Sequence, residues 1–160
     1  MAYKIAITYN LKKSLEDQDL PIDYFSEFDS PKTVNAIKEA LEFFGNEVIL
    51  VEANSDLISF FMRSKVDMVF NIAEGIKGVS RESQVPAILD FLGIPYTGSN
   101  VLTLAIALDK TVTKKLLCYE NIPTPNFQLF KSPIEELLSD LRFPLIVKPN
   151  CEGSAKGIST

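Results

Sequence analysis

Histidine and tryptophan are absent from the 160 residues, and cysteine occurs only at Cys118 and Cys151. Without histidine there is no Cys/His zinc site and no histidine-based catalytic triad, and two cysteines without CxxC spacing make no disulfide scaffold. No apolar run approaches the roughly 20 residues that a membrane span needs. The chain opens directly on strand-like Tyr3-Lys4-Ile5, without an apolar leader. Basic charge is also scarce: 16 Lys and Arg stand against 21 Asp and Glu, for a net charge of −5 and a pI near 4.8. That balance provides no field to gather nucleic acid or an anionic membrane. The expectation is a cytoplasmic protein whose partner is a small molecule. Cys118 falls in a helical pattern and is expected to be buried there, as free cysteine usually is.

What is present is an ordinary globular composition, 46% hydrophobic and 23% charged, enough for one domain or one plus part of another. Tyr3 to Tyr9 reads as a strand, and a polar, acidic loop follows from Asn10 to Ser30. Such length in a loop points to function. Asp29-Ser30-Pro31 then offers two competing caps and a proline at the first helical position, with Val34, Ile37, Leu41 and Phe44 on one face before Gly45. Residues 46–51 read as a second strand, 54–65 as a helix, 66–71 as a third strand, 80–92 as a helix closed by Gly93, and 94–97 as a short fourth strand. Strands alternating with amphipathic helices predict a three-layer, Rossmann-like parallel α/β sheet. Its ligands should sit beyond the carboxyl ends of the strands, at Tyr9-Asn10, at Asn71 to Gly75 and at Thr97-Gly98-Ser99.

Helical pattern resumes from Asn100 to Asn121, interrupted at Leu108-Asp109-Lys110, and breaks at Ile122-Pro123-Thr124-Pro125. Two prolines predict a domain boundary there, giving units 1–123 and 124–160. The second unit is expected to begin with a strand over 126–130, a helix opened by the capping-box spacing of Ser132 and Glu135, and a strand over 145–148. A glycine-bearing loop follows at 150–157. Ile158-Ser159-Thr160 then reads as the start of a returning strand, so this α+β unit is incomplete.

Several residues could carry chemistry. Backbone N–H groups of the loop Cys151 to Gly157 can form a concave anion site, and Lys148 at the preceding strand end would add a point charge. It is not a Walker A loop, since the Gly-Lys-Ser/Thr order is missing; a plain hairpin with two turn glycines fits the local sequence equally. Lys110 could reach back over the strand ends, or it could be one more helix-forming lysine on a solvated face. Glu74-Gly75 sits where a carboxylate would meet a substrate ammonium, while the plainer reading pairs Glu74 with Arg81 in solvent and lets Glu82 complement a helix N-terminus. Glu27 and Asp29 lie in the first loop; the cap role open to Asp29 leaves Glu27 freer.

Taken in order, Phe91-Leu92-Gly93-Ile94-Pro95-Tyr96-Thr97-Gly98-Ser99, Leu108-Asp109-Lys110 with Thr113-Lys114, Ile122-Pro123-Thr124-Pro125, Phe143-Pro144-Leu145-Ile146-Val147-Lys148-Pro149 and Glu152-Gly153-Ser154 resemble the D-alanine-D-alanine ligases. The resemblance implies a pre-ATP-grasp domain followed by the start of an ATP-grasp domain. It also implies an enzyme that joins a carboxylate to an amine by way of an acyl phosphate, using ATP and magnesium. By analogy, Lys110 and Lys148 contact nucleotide phosphate, and Gly153, Ser154, Ala155 and Gly157 belong to the loop that folds over the phosphates. Ser154 and Glu27 would hold the first amino acid at the catalytic centre, and Glu74, Gly75 and Ser99 would bind substrate. No magnesium ligand falls within this chain, which by itself is expected to be inactive. The substrate would be an amino acid or dipeptide, and a homodimer is compatible. Glu74-Gly75 replaces the usual His-Gly of these ligases, which leaves the substrate open. An alternative of another class is a non-catalytic binding module that retains the first domain's fold.

Overall fold

The computed structural model describes residues 2–13 and 20–158; the middle of the first loop and the expected turn into a strand at Ser159-Thr160 lie outside them. Three strands, β1 (Lys4–Tyr9), β2 (Glu47–Glu52) and β3 (Met68–Asn71), form a parallel sheet in the order β2-β1-β3. Register places Thr8 beside both Val51 and Asn71, so the strand ends share one edge. Thr97 reaches the same edge, where its hydroxyl accepts from Asn71 N–H at 3.1 Å and its own N–H donates to Val69 C=O at 2.9 Å. The expected fourth strand is reduced to one parallel bridge, Val69 with Tyr96. Pro95 supplies only its carbonyl, to Val69 N–H, so the ladder cannot lengthen through it.

Helices cover the sheet because alternate strand residues are apolar on both faces. Ala6, Val51 and Val69 meet Leu57 and Phe61 of α2 (Leu57–Arg63) and Val85 and Leu89 of α3 (Gln84–Leu92) in one buried cluster. Ile5 and Ile7, also buried, alternate to the other face, where α1 (Pro31–Phe43) touches β1 and β2 and buries Val34. Ser30 wins the competition for the α1 cap, its hydroxyl accepting from Thr33 N–H at 3.1 Å. The helix expected from Ser80 begins instead as a 3-10 turn at Arg81–Ser83 before α3 proper, and Gly93 ends α3 in the left-handed region at φ 68°.

The two helices after Asn100 are α4 (Val101–Leu108) and α5 (Lys110–Tyr119), capped by the side chains of Asn100 and Asp109. Cys118 departs from expectation: it is exposed, because α5 is an outer helix whose only buried residue is Thr111. The strand–helix–strand expected over 126–148 is absent as regular structure; turns, bends and irregular segments occupy it. The apolar pattern is real, but Ile146 is 68% and Val147 84% exposed, and no described strand pairs with them. A strand without a ladder partner has nowhere to place its backbone hydrogen bonds.

Candidate functional site

The carboxyl edge of the sheet is organised by Asn10. Its buried amide donates to Ala53 C=O at 3.0 Å, and its Oδ1 accepts from Glu74 N–H at 2.8 Å and Gly75 N–H at 3.0 Å. One side chain thus joins the ends of β1, β2 and β3. Thr8 adds a bond to Asn71 Oδ1 at 2.7 Å, and Asn71 in turn accepts from Ala73 N–H at 3.2 Å. Gly75 is required by the backbone that results. Its φ is 81°, and a Cβ there would lie 2.0 Å from the carbonyl oxygen of Arg81.

Arg81 projects from the 3-10 turn into the interior, its side chain only 9% exposed. Its Nη2 donates to Glu27 Oε1 and Oε2 at 2.6 and 2.7 Å and to Glu152 Oε2 at 3.0 Å, while Nη1 donates to Cys151 C=O at 2.8 Å. Burial alone would lower the guanidinium's pKa, but the bond and charge of Glu27, then the charge of Glu152, raise it instead. The pairing expected between Arg81 and Glu74 in solvent is therefore replaced by a buried ion network.

The glycine-bearing loop is docked into this network from several sides. Gly153 N–H donates to Glu27 Oε1 at 2.5 Å, and Gly157 N–H to Asp23 Oδ2 at 2.6 Å. Lys110 Nζ donates to Glu152 C=O. Lys156 pairs with Glu152 at 3.1 Å and lies 5.3 Å from the centroid of the Tyr24 ring. Asn150 fixes the loop's entry: its Oδ1 accepts from the N–H and hydroxyl of Thr111 at 3.0 and 2.7 Å, and its carbonyl accepts from Lys110 N–H at 3.1 Å. Ser154 and Ala155 occupy the centre of a turn closed by Lys156 N–H to Gly153 C=O, both with positive φ, 48° and 59°.

Of the residues expected at a site, the structure brings Glu27, Lys110 and Gly153 together. Ser154 and Ala155 are exposed one step beyond, and Glu27 meets the loop through Gly153 N–H rather than through the Ser154 hydroxyl. Lys148 is exposed and makes no ion pair among the described residues; Pro149 beside it is covered by the returning Gly157, where a Cβ would lie 2.7 Å from the proline ring. Gly75 holds the backbone behind Arg81. Glu74 and Ser99 line a cavity of about 380 Å³ at the sheet edge, together with Glu27, Asp29 and Glu82. A second cavity of about 300 Å³ lies on the other side of Glu27, lined by Tyr24, Arg81, Glu152 and Lys156.

In the first cavity, carboxylate oxygens of Glu27, Glu74 and Glu82 lie within 4.8 Å of one another. Burial, followed by repulsion from Glu82, Glu27 and Asp29, pushes the Glu74 carboxyl up from an ordinary 4.5 to about 7, and burial likewise raises Glu82. A carboxyl whose folded pKa lies above its unfolded one costs stability as pH rises from about 4.5 to about 7, because only the unfolded chain ionises freely there. Glu74→Gln should accordingly be more stable than wild type at pH 8, by about 1 kcal/mol after screening of this partly exposed group, and no more stable at pH 4.5. Denaturant midpoints at the two pH values test this; an advantage at pH 4.5 alone would refute it.

Arg81 and Asn10 are the residues that local sequence reading does not assign. Sequence proximity suggests only Glu74 as a solvent partner for Arg81, whereas its actual carboxylate partners lie 54 and 71 residues away.

No family model matches the chain. A D-alanine-D-alanine ligase of Syntrophotalea carbinolica is 40% identical over 132 residues, covering 81% of this chain and 42% of the ligase. The crystal structure of D-alanine-D-alanine ligase from Bacillus anthracis superposes with a TM-score of 0.70 at 31% identity, over 99% of this chain and 49% of that one. The same enzyme complexed with ATP gives 0.67 at 32% identity, over 94% and 48%. The chain thus spans between two fifths and half of the length of these relatives. With its parallel sheet, docked glycine loop and motif order, it belongs to the D-alanine-D-alanine ligase-like ATP-grasp family.

Proposed function

We propose that this chain supplies one wall of the site of an ATP-dependent carboxylate-amine ligase, with residues 1–123 as the first domain and 124–160 as the start of the nucleotide-binding one. The observation that carries this reading is the turn at Ser154-Ala155. Its two central N–H groups have no acceptor among the described residues, while the loop around them is tied down by Glu27, Asp23, Lys110 and Arg81. Free donors on a fixed turn fit the phosphates of ATP. Lys148, without a counter-charge of its own among the described residues, would add positive charge at the base of the loop. ATP bound there would pass its terminal phosphoryl group to a substrate carboxylate and leave as ADP, and an amine would then displace phosphate from the acyl carbon, losing a proton, to complete the amide. What these residues contribute is placement and charge rather than a nucleophile.

The amino-acid or dipeptide substrate would occupy the cavity bordered by Glu74 and Ser99, beside the loop and separated from the second cavity by Glu27. Glu74, with its raised pKa, would then differ from a histidine in offering no positive charge at any pH. None of the residues here is assigned to magnesium.

Two measurements test the reading. In a form extended to the length of its relatives, Lys148→Ala should weaken ATP binding by about one to two orders of magnitude, the worth of a charge-assisted hydrogen bond; unchanged affinity by calorimetry would remove Lys148 from the site. The 160-residue chain alone, offered ATP, magnesium and a panel of amino acids, should form no amide and bind ATP weakly. Turnover would show that it needs no further residues.

A further inference from the structure

We propose that Arg81 is a positioning residue for the nucleotide loop, one whose forked guanidinium sets the loop's place against the sheet edge before any ligand arrives. The proposal rests on the nucleotide reading above and adds to it a residue which that reading did not contain. The geometry is specific to arginine. Two nitrogens reach four acceptors that belong to separate parts of the chain: both oxygens of Glu27 in the first loop, and the Glu152 carboxylate and Cys151 carbonyl in the nucleotide loop. An ammonium on a flexible stem cannot span these in one plane.

The guanidinium is itself held from behind. Its backbone carbonyl is packed against Gly75, whose N–H is bonded to Asn10, so the chain of contacts runs from the ends of the strands through Gly75 and Arg81 to Gly153. Glu27 has a double part in this. Its carboxylate, 5% exposed, accepts from Arg81 and from Gly153 N–H together. A carboxylate so engaged is committed to holding the loop, and Arg81 is what permits its burial beside Glu74 and Glu82.

Amide hydrogen exchange on the 160-residue chain without ligand tests this directly, using Arg81→Lys, Arg81→Gln and the milder Glu152→Gln, which takes the charge from one arm and leaves Glu27 in place. In Arg81→Gln the amides of Gly153 and Gly157 should exchange on the order of ten- to a hundredfold faster than in wild type, with β1 and β3 amides unchanged. Arg81→Lys should recover little of that protection although it restores the charge, and Glu152→Gln should show a smaller loss in the same amides. ATP titrated into wild type should shift the Ser154 and Ala155 amide resonances, and do so about tenfold more weakly in Arg81→Gln. Loop amides that exchange alike in wild type and Arg81→Gln, or full protection in Arg81→Lys, would overturn the proposal. Should Arg81→Gln lose protection throughout the sheet, Glu152→Gln decides, and unchanged loop exchange there is equally fatal. An absence of ATP shifts in wild type would instead remove the nucleotide reading, while the exchange comparison still settles the role of Arg81.

Discussion

Replacing Gly75 with alanine is expected to destabilise the protein by about 2–4 kcal/mol. The left-handed backbone costs a residue with a Cβ about 1 kcal/mol or more, and the added methyl must also displace a backbone oxygen, an overpacking penalty of roughly 1–3 kcal/mol. Here the obstruction is the Arg81 carbonyl at 2.0 Å, which no side-chain rotation can relieve. The strain should also be transmitted, because Gly75 N–H is tied to Asn10 and Arg81 to Glu27. Urea unfolding should show the lowered midpoint, with lost exchange protection at Gly153 as its local signature. By contrast, the same substitution at Gly45, where φ is 83° and no heavy atom lies within 4 Å, should cost only the backbone part. Equal losses at the two glycines would mean that contact with Arg81 is immaterial.

Leu89→Ala should cost about 2–5 kcal/mol, the range for a fully buried leucine whose cavity is only partly refilled. Leu89 is 0% exposed and lies in the cluster with Ala6, Phe61 and Val69 that joins α3 to the sheet. Its loss would be felt at the candidate site too, since α3 continues directly from the turn that carries Arg81. Equilibrium unfolding measures it, and a change below about 1 kcal/mol would show that the cluster is not a packed core.

The sheet was legible from the sequence because its signals are local. Short apolar runs at 3–9, 46–51 and 66–71 mark the three strands to within one or two residues of Lys4–Tyr9, Glu47–Glu52 and Met68–Asn71, and Pro31, Gly45 and Gly93 mark helix boundaries. The carboxyl edge was legible for the same reason, since parallel strands of known direction must end together. The docking of Arg81 was not, because its partners are set by three-dimensional proximity and a buried arginine reads in sequence like a solvated one. Asn10 was placed in a loop worth attention, but nothing local distinguishes an asparagine that joins three strand ends from one that opens a turn. Beyond Pro125 the failure is of another kind. Residues 126–130 and 145–148 carry the composition of strands, yet a strand is a property of a pair, and the described chain contains no partner for them.

The central place of β1 in the order β2-β1-β3 bears on how the protein is made. Its neighbours begin at Glu47 and Met68, so one edge of β1 has no partner until Glu52 has been synthesised and the other has none until Asn71. At about 5–20 residues per second the stretch from Tyr9 to Asn71 takes roughly 3–12 s, during which Ile5, Ala6 and Ile7, all buried in the finished fold, lack part of their cover.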